Sequence, residues 1–240
     1  MGELRRDGLV GNVWVLAGGV LYLLEWIAII WAGVAGVGAQ VARDASSSEV
    51  MDSYAGNENA VYAMAGWFAV VLLGRILLFI GLRQALADSG HGHPLLDFAV
   101  AASAVSVTLE IASYGLAATA AAPADAGNES LAVLVDQAGA GLNLMIGGGL
   151  GVAIVCTTYV MWRSGLFNLP LVLLGAASGI AIIGAQVTTA PSLQPLFDIL
   201  YFFPLVFWVW MLWAGVVCLR ARPHHTGRTE AGDSLPRPAA

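Results

Sequence analysis

The chain has 240 residues, 58% hydrophobic and only 11% charged, with a mean hydropathy of +0.77. A soluble domain needs more charge to cover its surface, so composition excludes an ordinary globular protein and points to a polytopic membrane protein. Net charge is −6, all ten basic residues are Arg and no Lys is present. A retinal or pyridoxal Schiff base needs a lysine amine, so both cofactors are excluded.

In chain order, six segments are apolar enough over about 20 residues to cross a bilayer: 12–36, 61–83, 97–120, 138–162, 167–189 and 197–219. The fourth has room to begin earlier, because LAVLVDQAGAG (131–141) can continue as helix outside the lipid. The expected fold is all-α: a polytopic membrane bundle of six transmembrane helices within residues 1–220, both termini cytoplasmic. Residues 221–240, rich in Pro, Gly and charge, are expected to form a disordered cytoplasmic tail.

Arginine placement sets this topology. Arg5 and Arg6 precede the first span, Arg83 follows the second, Arg163 the fourth, and Arg220, Arg222, Arg228 and Arg237 the sixth. With an even number of spans all of these fall on one side, the cytoplasm. The opposite loops hold Arg43 beside Asp44, Glu49, Asp52, Glu58, Asp125 and Glu129. A cleaved leader fits the first span poorly, because it is long and carries Glu25 near its centre. Trp14, Trp31, Tyr62, Trp162 and Trp213 lie towards span ends, where an interfacial aromatic belt would place them. Bias towards Ala, Gly, Val and Arg suggests a bacterial genome, and the cytoplasmic membrane is the expected location.

Glu25 on the first span, Arg75 on the second and Glu110 on the third lie well inside the apolar segments. A charge at such depth costs about 2.5–3.5 kcal/mol even on permissive scales, so these groups are expected to face inwards and pair. Each glutamate lies about 13 residues from the cytoplasmic start of its helix, roughly 20 Å deep, and Arg75 roughly 12 Å from the cytoplasmic end of its own. Side chains lean towards a helix N-terminus, so the carboxylates and the guanidinium lean towards one another. A Glu–Arg–Glu site is the result. Ser103, Ser106, Glu110 and Ser113 form one stripe with Tyr114 beside it, and Gly18, Tyr22 and Glu25 share a face of the first span. Two acids against one arginine leave a surplus negative charge that one shared proton would relieve.

The remaining polar residues are less directional. Asp136, Asn143, Gln186 and Asp198, with Gln137, Thr189 and Gln194, would make an outward-facing vestibule attractive to cations; polar span ends are the plainer account. Gly139, Asn143, Gly147 and Gly151 repeat every four residues, and Gly175 and Gly179 repeat the spacing on the fifth span. That pattern predicts close helix packing, with a hinge at the glycine run as the alternative. No histidine lies within a span, which excludes a bis-histidine haem in the bundle. No metal site, hydrolase elbow or metalloprotease motif is present, so neither cofactor nor enzymatic activity is expected.

Asn59 before the second span, GRILLFIGLRQAL (74–86), the glutamate in TLEIASYGL (108–116) and LFNLPLVLLGAASGI (166–180) form a layout. It resembles a family of six-helix bacterial membrane proteins classed as a domain of unknown function. The resemblance covers most of the chain and implies a fold but no activity. The typical member carries an acid in its sixth helix deeper than Asp198, where this chain is aromatic, so no site is carried over from that helix.

The expected function is that of an integral membrane protein whose site at Glu25, Arg75 and Glu110, with Tyr22, Ser106, Ser113 and Tyr114 around it, serves proton-linked passage or sensing of a small solute. The structural alternative is a scaffold or regulatory subunit whose ion cluster only holds the bundle. A lipid-modifying enzyme is third. Expected partners are the lipid bilayer and a proton or small solute, with no nucleic acid; a homo-oligomer or membrane partner stays open.

Overall fold

The computed structural model describes residues 9–35, 45–200 and 202–221. The tail after Ala221 lies outside these residues, as do Arg5, Arg6 and Arg43 of the topology argument. Among the described residues the structure is all-helical, with no strand and six helices long and apolar enough to span a membrane.

The first span, Val13–Ala35, is built of α1 (Val13–Leu23) and α2 (Glu25–Ala35). A short helix α3 (Ser47–Tyr54) lies between it and the second span. The second span, Glu58–His91, comprises α4 (Glu58–Val71) and α5 (Leu73–Leu86), closed by a widened turn at Ala87–His91. The third is the single helix α6 (Pro94–Asp125). The fourth holds α7 (Glu129–Asn143) and α8 (Ile146–Ser164), the fifth is α9 (Leu169–Val187), and the sixth holds α10 (Gln194–Leu200) and α11 (Phe203–Arg220).

Several boundaries differ from the sequence expectation for local reasons. The third span runs on to Asp125 rather than 120, with Pro123 inside its last turn, and the chain reverses only at Gly127, whose φ is +71°. The fourth begins at Glu129 rather than 138, because the Asn128 side chain accepts the Leu131 N–H (3.3 Å) and caps it. The loop expected at 37–60 contains α3, capped by the reciprocal Ser46–Glu49 box.

The two ends of the bundle differ in charge. Asn12 donates its N–H to the Cys218 carbonyl (3.2 Å) and its side-chain amide to Gln84 (3.2 Å). Those bonds bring the start of the first span beside the ends of the second and sixth, so Arg83 and Arg220 share one end. At the other end α3 packs on α6 and α7. There Glu49, Asp52, Glu58, Asp125 and Glu129 gather without an arginine among the described residues.

Small residues set the closest helix approaches. A methyl on Gly18 would lie 2.6 Å from the Gly74 carbonyl oxygen, and one on Gly74 would lie 2.5 Å from the Tyr22 nitrogen. Only bare Cα atoms let α1 and α5 approach so closely, and this crossing places Tyr22 beside Arg75. Gly151 meets Gly179 across α8 and α9 in the same way. Trp14, Trp31, Tyr62, Trp162 and Trp213 all keep surface outside the bundle.

Candidate functional site

The interior polar site is assembled by α1, α2, α5, α6 and α11. Arg75 on α5 is 1% exposed, and its Nη2 donates to the Glu110 carboxylate of α6 in a buried ion pair. Glu25, the first residue of α2, is 4% exposed. It lies within electrostatic reach of Arg75, Glu110 and the Tyr22 hydroxyl, but makes no ion pair of its own among the described residues. Two buried carboxyl groups therefore have one guanidinium between them as positive charge.

Tyr22 joins the parts. The Arg75 guanidinium carbon lies 5.1 Å from the Tyr22 ring centroid, a cation–π distance. Beyond it the Tyr22 ring meets Phe207 with centroids 6.1 Å apart, and the Trp208 indole N–H approaches the Tyr22 hydroxyl. Trp208 packs edge-on against Trp26 at 4.7 Å. Two N–H donors here, Arg75 Nε and Trp208 Nε1, are buried without a hydrogen-bond partner among the described residues. Buried donors are ordinarily satisfied, and the Tyr22 hydroxyl stands beside both of these side chains.

The backbone is interrupted at the same place. At Leu24 the ladder tightens: Leu24 N–H bonds to the Leu21 carbonyl and Ile27 N–H to that of Leu24, each at 3.2 Å. The Leu24 carbonyl also accepts the Trp67 indole N–H (2.9 Å). On the second span the break falls at Leu72, whose carbonyl accepts the Arg75 N–H at 3.1 Å. Irregular backbone inside a membrane span is tolerated where neighbours re-satisfy its polar groups, and it commonly marks functional positions. The first two spans thus break within three residues of the charges they carry.

The serine stripe on α6 is buried, and two of its hydroxyls donate to backbone carbonyls. Ser106 donates to the Ile146 carbonyl (2.8 Å), at the break between α7 and α8, and Ser113 to the Glu110 carbonyl (2.8 Å). Ser103 Oγ is buried with no partner among the described residues. Tyr114 stacks on Phe68 with ring centroids 4.0 Å apart. Ser106 therefore ties α6 to the α7–α8 break, whereas the Ser113 bond stays within α6.

The residues expected to form a vestibule bond in separate places. Asp136 is 6% exposed and accepts from the Tyr54 hydroxyl of α3 (2.5 Å). Gln186 accepts from the Gly148 N–H (3.2 Å), and Asp198 accepts from Gln194 (2.7 Å). Asn143 ends α7, half-buried. A shallow cleft of about 350 Å³ runs along α7 beside Asp136, Gln137, Ala140, Gly141 and Leu144. Sequence reasoning missed Tyr54 and Trp67. The Ser46–Glu49 capping signal was readable and would have placed α3, whereas nothing in the sequence directs the Trp67 indole to the Leu24 carbonyl.

His93 uses its Nδ1 to accept the Leu95 N–H (3.1 Å) and cap α6. No family model matches the chain, no curated protein is similar to it, and no solved structure matches it. The geometry of the buried Glu25–Arg75–Glu110 site is therefore what the functional argument rests on.

Proposed function

We propose that the chain is a multi-pass protein of a bacterial cytoplasmic membrane, both termini cytoplasmic, whose Glu25–Arg75–Glu110 site takes up and releases a proton. That proton step is linked to the passage or sensing of a small solute. The orientation is supported by Arg83, Arg163 and Arg220 closing the second, fourth and sixth spans, as the positive-inside rule favours.

The observation that carries the reading is one guanidinium shared by two buried carboxyl groups. Arg75 is committed to Glu110, so an ionised Glu25 would leave uncompensated negative charge in a low-dielectric interior. Such charge is costly, and a proton held by the coupled pair removes it. The test is made in proteoliposomes with a trapped pH-sensitive dye, alongside infrared spectra. Wild type should show a protonated-carboxyl band that titrates with bulk pH and a proton flux, both lost in Glu25→Gln. An unchanged band and unchanged flux in Glu25→Gln and in Glu110→Gln would overturn the reading.

A second reading is favoured by the burial of Arg75 and by the tight Gly18–Gly74 crossing beside it. There the cluster is a clasp that fixes the first three spans. It predicts that Glu110→Gln lowers stability while wild type itself shows no protonated carboxyl and no flux.

A further inference from the structure

We propose that α2 is a hinged arm over the Glu25–Arg75–Glu110 site, pivoting at Leu24, docked while Glu25 holds a proton and released when the proton leaves. The proposal deepens the proton-site reading and rests on it.

Its first ground is where the arm begins. Glu25 is the first residue of α2, and the tightened backbone at Leu24 separates it from α1. Rotation at Leu24 would therefore move Glu25 while leaving Tyr22 in place. Arg75 and Glu110 stand on α5 and α6. Those helices pack on each other, and α5 is interlocked with α1 through Gly18 and Gly74. The site divides into a fixed pair and one movable carboxyl group.

The second ground is how lightly α2 is held. Its buried positions are Glu25, Ala28 and Ala32, a narrow strip of small side chains. Ile27, Ile30, Trp31 and Val34 turn outwards, 47–85% exposed. Its chief neighbour is α4. Its one large inward contact, Trp26 against Trp208 of α11, lies two residues from the pivot, and the Trp67 N–H on the Leu24 carbonyl pins the pivot rather than the arm. Small smooth faces make few dispersion contacts, so the docked arm is held weakly compared with a knob-and-hole interface.

The third ground gives the direction. The groups facing Glu25 are Tyr22 on α1, Arg75 on α5 and Glu110 on α6. With Arg75 already paired, an ionised Glu25 meets repulsion from Glu110 and loses hydration. A neutral Glu25 meets neither. Loss of the proton thus favours lifting α2 off the site, which opens Glu25 to water from the end of the bundle where α2 terminates. That end carries the acidic residues, a field that favours protons and other cations.

The test uses full-length protein in proteoliposomes with Cys156→Ala and Cys218→Ala as background. Ala32→Cys, on the docked face, is labelled with a membrane-impermeant methanethiosulfonate at several pH values. At high pH, labelling should be about tenfold faster than in the same protein carrying Glu25→Gln, which mimics the neutral acid at every pH. Should Ala32→Cys fold poorly, spin labels at the exposed Ile30→Cys and Leu131→Cys report the same motion by pulsed distance measurement. The distance should change with pH in the parent and stay fixed in Glu25→Gln. Equal labelling rates together with a pH-independent distance would overturn the arm. If proton flux depends on Glu25 and α2 does not move, the arm falls and the proton site stands. If α2 moves only in the parent while flux is equal in both, the arm stands and the transport reading falls.

Discussion

Two of the buried polar regions in the bundle solve the same problem differently. At Glu25, Arg75 and Glu110 the groups are charged, and two of the three contributing spans are interrupted beside them. Around Gly175 the groups are neutral: Thr158 on α8, Trp210 on α11 and Ser178 on α9, from helices that run unbroken past them. Thr158 Oγ1 and Trp210 Nε1 are buried there without hydrogen-bond partners among the described residues, pressed against the bare Cα of Gly175. A neutral hydroxyl or indole left unsatisfied costs about 1–3 kcal/mol, which continuous close packing can offset. An unpaired buried charge costs far more. The difference teaches that the neutral region is a packing device held by continuous close contact, whereas the charged region sits beside interrupted helices. Interruption is not confined to charge, since the fourth span also breaks where Ser106 meets the Ile146 carbonyl.

The largest expected effect breaks the charged region. Arg75→Leu leaves two buried carboxyl groups without a cation, and removing one partner of a buried pair typically costs about 3–5 kcal/mol. Thermal or denaturant unfolding in detergent should show that loss, and adding Glu110→Leu should restore much of it. If the double variant is no more stable than the single, the pair is not what holds α5 to α6. Gly175→Ala attacks the neutral region, since a methyl there would collide with Trp210 and Thr158. Overpacking of this kind costs about 1–3 kcal/mol, and the same unfolding assay should show it with proton flux per folded molecule unchanged. A Gly175→Ala variant that unfolds like wild type would show that α9 can shift, and the contrast between the two regions would lose its basis.

Legibility followed the same division. The six apolar segments and the depth of Glu25, Arg75 and Glu110 could be read directly, because hydropathy and helix rise are one-dimensional quantities. Arg75 and Glu110, which the depth argument drew together, are ion-paired in the structure. The breaks at Leu24 and Leu72 could not be read, because neither residue is Pro or Gly and the carbonyl freed at Leu24 is met by a tertiary partner, Trp67. Gly74 was hidden inside an apolar string, and its meaning appears only against Gly18 on another span. The vestibule residues read from the sequence do not include Tyr54, because the stretch between the first two spans reads as loop and a side chain on an unassigned helix has no direction. Polar residues at span ends pair with whatever their neighbours offer, and neighbours are what a single sequence does not specify.

The smallest expected effect lies outside both polar regions, in the helix that covers the acidic end. Glu49 accepts from the Ser46 backbone N–H (2.7 Å) and hydroxyl (2.9 Å). These bonds, the backbone one first, hold its carboxyl below the ordinary value of 4.5. A carboxyl lowered on folding stabilises the folded form above its unfolded value and loses that contribution as pH falls through the folded one. The cap on α3 should therefore be intact at neutral pH and weaken below about pH 4.5, without any change in the buried site. Amide hydrogen exchange of residues 47–54 is the measurement: protection should drop on acidification in wild type and be low and flat in Glu49→Gln. Because the side chain is fully exposed, solvent screening keeps the effect local. Should acidification also loosen Tyr54 from Asp136, exchange would rise through the whole of α3 in Glu49→Gln as well. That outcome would move the pH-sensitive element from the cap to the buried Tyr54–Asp136 bond, and would join the acidic end to the interior rather than set it apart.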